Sequence, residues 1–189
     1  MSIEFSKAPE TVTLRGGTTV TIRPIRADDA PRLQAFHARL SPETIYLRFL
    51  GYHKALLDKE AERLATVDYQ ARMALVATRE EGGEERLLGV VRYDVIDPRH
   101  PDVAEVAIVV EDRYQGRGLG TLLMNRLVAY ARAYGIRAFV AEVSGENYRM
   151  LRFAQRTGLP VEKKLEWGVW YIRIKLEDEP APVKELALA

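Results

Sequence analysis

The chain of 189 residues contains no cysteine. Disulfides, thiolate metal sites and a cysteine acyl-enzyme are therefore excluded, and a reducing compartment is the natural setting. No apolar run approaches the roughly 20 residues needed to cross a bilayer, and residues 1–15 lack the apolar core of a signal peptide. The expected location is the cytoplasm, with no membrane partner. Charge of one sign is also missing: the net charge is +1, and the basic residues are scattered rather than clustered. Nucleic acid is not an expected partner. His37, His53 and His100 are the only histidines and lack ligand-like spacing, so they read as helix-surface or turn residues and no metal is expected. Asparagine occurs only at positions 125 and 147, which gives weight to either one if it falls on a motif.

What remains is ordinary for a globular chain: 47% hydrophobic and 29% charged residues, with no internal repeat. One domain over residues 18–176 is the simplest reading, with residues 1–17 as an N-terminal extension and 177–189 as a mobile tail. Thr18 to Ile25 alternates β-branched and polar residues and predicts a strand. Asp28 or Asp29 caps a helix carrying Leu33, Phe36 and Leu40, and Ser41-Pro42-Glu43 announces a second. A short helix over 56–66 precedes an apolar strand, Met73 to Thr78, and a return strand, Leu87 to Ile96, across an acidic Gly-Gly turn.

The stretch from Val106 to Leu123 organises the rest. An apolar strand, Val103 to Glu111, runs into three glycines spaced two apart, and an amphipathic helix over 118–134 begins at once. Such a turn presents unpaired main-chain N–H groups beside the positive end of a helix dipole, which suits an anion and most often a phosphate. The alternative is a glycine-rich turn without a ligand. A strand over 136–143 should lie parallel to the one before the turn. A helix over 146–157 and strands near 160–165 and 168–176 complete the order.

That order resembles the GNAT superfamily of N-acetyltransferases. Gln115-Gly116-Arg117-Gly118-Leu119-Gly120 fits the superfamily's acyl-CoA motif, Arg or Gln, two residues, Gly, any, Gly or Ala, and Asn147 with Gly158-Leu159 matches its later helix. More narrowly, Ile22-Arg23-Pro24-Ile25, Leu40-Ser41-Pro42-Glu43, Tyr46-Leu47-Arg48-Phe49 and Ala104-Glu105-Val106-Ala107 are similar to the acetyltransferase domain of bacterial Pat-type protein-lysine acetyltransferases. The resemblance implies an α/β (α+β) acyl-CoA N-acyltransferase fold: a mixed, mostly antiparallel sheet of about seven strands with a central, splayed parallel pair, flanked by helices. The donor it implies is acetyl-CoA, and the acceptor a protein lysine. A monomer or homodimer is expected.

The resemblance also assigns roles. The turn Gln115, Gly116, Arg117, Gly118, Leu119, Gly120 and Thr121 would hold the CoA pyrophosphate through main-chain N–H groups. Arg117 and Arg113 would add charge, or else be solvated turn residues. Pantetheine would bond to the backbone of Ile108, Val109 and Val110 on a bulged strand, with Val109 or Val110 supplying the oxyanion donor. Asn147 would reach CoA, cap its helix, or do both. Glu105 lies in an apolar strand where a carboxylate is costly unless paired or functional, and it matches the general base of Pat-like enzymes. Its alternative is a cross-strand pair with Arg92. The position matching the superfamily's acidic tyrosine is Ala154, which leaves Tyr148, Tyr114 or water to protonate the leaving thiolate. Glu162, Glu166, Trp167, Trp170, Arg48 and Phe49 would flank the acceptor entrance. Two rival readings keep the donor site: a small-amine acetyltransferase, and an acyl-CoA sensor that does not catalyse.

Overall fold

The computed structural model describes residues 8–51 and 53–176. Their order is β1 (Glu10–Thr13), β2 (Thr19–Pro24), α1 (Ala30–His37), α2 (Pro42–Phe49), α3 (Asp58–Ala65), β3 (Arg72–Glu81), β4 (Glu84–Asp94), β5 (Val103–Val110), α4 (Leu119–Ala133), β6 (Ala138–Ser144), α5 (Tyr148–Gln155), β7 (Val161–Glu166) and β8 (Val169–Lys175). They build one eight-stranded sheet in the spatial order β1-β2-β3-β4-β5-β6-β8-β7. The eighth strand is β1, which pairs with β2 from Glu10↔Ile22 to Thr13↔Thr19. Residues expected as an extension thus form a sheet edge. Four residues are too few to show an alternation of their own, and the pairing that makes them a strand comes from β2.

Burial divides the core in two. Val106, Val110 and, across the sheet, Val91 and Tyr93 pack with Leu119, Leu123 and Leu127 of α4 on one face. Val76 and Val90 pack with Leu33 and Phe36 of α1 and Ala61 and Ala65 of α3 on the other, where Val109 also lies. Side chains alternate between faces along a strand. Glu105, Ala107 and Val109 therefore share the α1–α3 face, and Ala104, Val106, Ile108 and Val110 share the α4 face.

Helix ends follow the local signals. The Ser41 hydroxyl accepts from Thr44 N at 3.1 Å with Pro42 at the first helical position, as the Ser-Pro pair predicts. The α2 N-terminus is also tied across the fold, since Asp112 accepts from Ser41 N at 2.9 Å, from Ser41 Oγ at 2.7 Å and from Thr44 Oγ1 at 2.7 Å. Burial raises the Asp112 carboxyl, but these bonds outweigh it and hold it below its ordinary value. The approach to the glycine turn is thereby fixed to α2. At the other end of the sheet, β2 carries Arg23 into a buried pair with Asp29 at 2.7 Å, with Glu85 at 3.0 Å on the same guanidinium.

Candidate active site

The parallel pair is short. β5 and β6 pair at Val103↔Ala138, Ala104↔Phe139 and Glu105↔Val140, and from there they part. β5 continues to Val110 and β6 to Ser144 with no ladder between them. The splay expected for the pair is present, and the bulge is not on β5: its register with β4 runs unbroken from Asp94↔Glu105 to Gly89↔Val110. The irregularity lies in the neighbouring β3–β4 ladder, where Ala77 pairs with Gly89 and Thr78 with Leu87, so that the extra residue is Leu88 of β4. The gap opens because β6 turns to follow β8, with which it pairs along its whole length.

That unbroken register decides which main-chain groups face the gap. Glu111 N donates to Leu88 O at 2.9 Å, in the same register that sets Val109 opposite Val90 and Ala107 opposite Arg92. In an antiparallel ladder such pairs alternate with pairs whose N–H and C=O point away. The N–H groups of Ala107 and Val109 thus turn to β4, and those of Ile108 and Val110 turn to the gap. Of the two oxyanion donors expected, Val109 is committed to the sheet, Val110 is free to serve, and Ile108 joins it.

The glycine turn follows. Gly116 and Gly118 take φ values of 73° and 89°, a region that costs other residues strain. Tyr114 N and Gln115 N close a short turn onto Glu111 and Asp112, and then no main-chain N–H from Gly116 to Thr121 has a protein acceptor among the described residues. Leu122 is the first to donate, to Gly118 O at 3.0 Å. Six consecutive donors at the N-terminus of a 15-residue helix form an anion cradle that fits a pyrophosphate. Gly120 differs from the other two. Within α4, its added Cβ would sit 3.5 Å from Phe153 Cε2 and 3.6 Å from Ile108 Cδ1, ordinary contacts.

Gln115 binds this cradle to the gap. Its Nε2 donates to Val110 O at 2.8 Å, and its Oε1 accepts from Arg149 Nη1 at 2.6 Å. Arg149, in the first turn of α5, was not singled out from the sequence, where nothing brings it near residue 115. Arg113 is held by Glu111 at 2.5 Å and Glu81 at 3.1 Å. Arg117 is exposed and makes a cation–π contact with the Tyr114 ring at 5.6 Å, with no ion pair among the described residues. Between the two arginines, the structure leaves Arg117 available to an anion.

A cleft of about 730 Å³ occupies the gap, within the range of small-molecule sites. Glu105, Ile108, Asn147, Met150, Phe153 and Ala154 line it, together with Arg48 and Phe49 of α2 and Glu162, Lys163 and Tyr171 of the last hairpin. Val109, Val110 and the turn from Gln115 to Thr121 lie outside that lining, at the end of β5 where Gln115 joins them. Asn147 is buried and caps α5, its side chain accepting from Met150 N at 3.0 Å.

Glu105 is exposed in the cleft and makes no hydrogen bond or ion pair with any described residue. Arg92, its expected alternative partner, instead donates to Asp94 at 3.0 Å. Arg48, which lines the same cleft, has its pKa pushed down by burial first and by Arg92 second, while Glu105, Asp94 and Glu60 act the other way.

Several expected roles fall elsewhere. Tyr114 is buried with its hydroxyl donating to Glu81 at 2.8 Å, and Tyr148 is 62% exposed; neither lines the cleft. Glu166 and Lys164 form an ion pair at 2.6 Å, Glu162 and Lys175 another at 2.8 Å, so the acidic rim is compensated. Trp167 stands fully exposed at the tip of the β7–β8 turn, and Trp170 packs against the core, so neither lines the cleft. His37 is not the helix-surface residue expected: it is buried, 3.2 Å from His53, whereas His53 lies in a partly exposed connection, as expected, with its ring stacked on Phe49 at 4.2 Å. The pattern of α1, with His37 four residues after the buried Leu33 and so on the same face, was the available signal. His100 is an exposed turn residue beside Asp97, as expected.

The family model described as Acetyltransferase (GNAT) family matches residues 36–159. The chain belongs to that family, and is accordingly an acetyl-CoA-dependent N-acetyltransferase. It is similar to an acetyltransferase of Pseudomonas aeruginosa, 39% identical over 137 residues that make 72% of this chain and 73% of that protein. The acetyltransferase Pat of Mycolicibacterium smegmatis is 35% identical over 153 residues, 79% of this chain and 44% of Pat, so the chain spans less than half of that relative. The crystal structure of the GNAT domain of S. lividans PAT superposes with a TM-score of 0.79 at 35% identity, covering 88% of this chain and 96% of that domain.

Proposed function

We propose that the protein transfers the acetyl group of acetyl-CoA to the side-chain amine of a protein lysine, in the cytoplasm, with Glu105 as general base. The observation that carries this reading is the state of Glu105: a carboxylate in the acceptor cleft, at the last paired position before β5 and β6 part, with no protein partner. A structural carboxylate on a central strand would be neutralised, as Asp94 is by Arg72 and Arg92. The similarity to Pat supports the lysine acceptor.

The bound donor supplies a thioester already activated for attack by an amine. The chain's own residues do the rest. The N–H groups of Gly116 to Thr121 hold the pyrophosphate, with Arg117 adding charge. The Ile108 and Val110 main chain holds pantetheine and the acyl oxygen. Asn147 closes the cleft where α5 begins. A lysine amine has an unperturbed pKa near 10.4 and arrives protonated, so it must lose a proton before it can attack. Glu105 takes it and passes it to solvent. No tyrosine stands at Ala154, and water protonates the departing thiolate.

The test is incubation with labelled acetyl-CoA against a lysate of host proteins and, in parallel, a panel of polyamines, amino acids and aminoglycosides. Label on lysine side chains of proteins is the expected result. Label on small amines alone would replace the acceptor and keep the mechanism; CoA binding without transfer to any acceptor would leave the sensor reading.

A further inference from the structure

Behind the cleft lies a second cavity of about 50 Å³. The two share Arg48, Phe49 and Ala107 in their walls. Most of the smaller lining is apolar, from Leu33 and Phe36 of α1 to Val90 and Val109 of the sheet. Its polar members are His37 and Arg48 and, on the sheet, Arg92. Arg92 is 6% exposed, with Nε donating to Asp94 at 3.0 Å and Nη1 to Leu64 O at 3.4 Å. Its Nη2 is buried and has no acceptor. Buried donors are nearly always satisfied, and a cationic one left open marks a place for an acceptor that the chain does not supply.

Arg48 stands at the junction of the two cavities and makes no hydrogen bond or ion pair with any described residue. Its guanidinium lies 5.0 Å over the Phe49 ring. Two guanidinium groups thus converge where one has an unfilled donor and the other is unpaired, and apart from His37 the walls around them are apolar. A short chain ending in an anion matches that combination. The side cavity is the size of one to two waters, each taking about 30 Å³, which suits a carboxylate and little more. Ala107, at the shared wall, carries only a methyl group. α1 and α3 cover the cavity on the side away from the sheet, which favours a chain end arriving from the cleft over a side chain of a folded acceptor.

We propose that Arg48 and Arg92 bind the terminal carboxylate of a dicarboxylic acyl donor, malonyl- or succinyl-CoA, and that the enzyme transfers those acyl groups as well as acetyl. The inference rests on the reading of this cleft as the acyl-transfer site. The bonds are those of acetyl transfer: the amine nitrogen joins the thioester carbonyl carbon, the C–S bond breaks with its electron pair on sulfur, and the amine proton passes to Glu105. The second carboxylate takes no part. Because Glu105 occupies the same face, the positive pair also shields it from the incoming charge.

The test compares acetyl-, propionyl-, malonyl- and succinyl-CoA on one protein acceptor, with calorimetric binding of each donor alongside. The wild type is expected to use succinyl- or malonyl-CoA with kcat/KM within about tenfold of acetyl-CoA. Arg48→Gln, a substitution at a half-buried position, should lower the dicarboxylic donors at least about tenfold more than acetyl-CoA and weaken their binding in proportion. Arg92→Lys repeats the comparison with charge retained and the fork geometry lost. Acetyl transfer with no malonyl or succinyl transfer overturns this inference alone. An equal loss for all donors in Arg48→Gln also overturns it and gives Arg48 to the acceptor. No transfer from any donor overturns it together with the assignment of function.

Discussion

Arg149 donates a 2.6 Å hydrogen bond to the side-chain oxygen of Gln115, so that the first turn of α5 is tied to the turn that begins α4. The other end of the Gln115 amide holds the Val110 carbonyl at 2.8 Å. One side chain thereby sets the spacing between the pyrophosphate cradle, the free edge of β5 and the α5 wall of the cleft. Gln115→Ala should raise the KM for acetyl-CoA about tenfold, the worth of a lost hydrogen bond to a charged partner plus a looser cradle, with kcat falling less. Arg149→Ala should do the same to a smaller extent. Initial-rate kinetics with varied acetyl-CoA decides it; an unchanged KM for Gln115→Ala removes the tie from cofactor binding.

Gly118 and Gly120 occupy the same motif for different reasons. Gly118 has φ 89° and open space where a Cβ would go, so Gly118→Ala costs backbone strain of about 1–2 kcal/mol and creates no clash. Gly120 is helical, and its Cβ would meet only ordinary contacts at 3.5 Å and beyond. Gly120→Ala should leave stability within about 0.5 kcal/mol, helped by alanine's helix propensity. Urea melts of the two variants make the comparison. The structure thus accounts for alanine being admitted at the last position of the motif and not at Gly118, two residues earlier.

Much of this was legible beforehand because it is local. Ser41-Pro42, the three glycines and the alternation of β2 each carry their structure in a few residues. The parallel pairing of β5 and β6 followed from strand, helix, strand. What escaped reading depends on neighbours distant in the chain. β1 exists through β2, the fate of Arg113 depends on Glu81 across a hairpin, and Arg149 meets Gln115 only because α5 packs beside α4. The choice between Val109 and Val110 as donors turns on register parity with β4, which the sequence of β5 alone does not contain.

The His37–His53 contact makes stability sensitive to mild acid. Burial first, then the neighbouring His53, holds the His37 pKa below its ordinary value, and Glu60 opposes this. In the unfolded chain His37 titrates near 6.5. Between the two values the unfolded state binds the proton and the folded state does not, so the contribution is complete above about pH 6.5 and is lost as pH falls through the folded value. Thermal melts from pH 7.5 to 5 should show a falling Tm. His37→Phe, which keeps the ring beside Phe49, should flatten that slope below pH 6.5; an unaltered slope would place the acid sensitivity in other groups.

Glu105 and the tyrosines give the sharpest test of the chemistry. Glu105→Gln keeps the shape of the side chain and removes its basicity. Acetyl-CoA binding should be unchanged, since the cradle and the free edge of β5 do not involve this side chain, while kcat falls about 100-fold or more at neutral pH. Raising the pH deprotonates the lysine acceptor without help, so the deficit should narrow as pH climbs toward 10. A merely structural carboxylate would give a deficit independent of pH. Tyr114→Phe and Tyr148→Phe serve as controls, because neither residue lines the cleft and Tyr114 already spends its hydroxyl on Glu81. Both should keep kcat within about twofold of wild type, since protonation of the thiolate by water asks nothing of them. A large loss in either would restore a tyrosine acid, and a Glu105→Gln enzyme with full kcat at neutral pH would remove the general base from the mechanism.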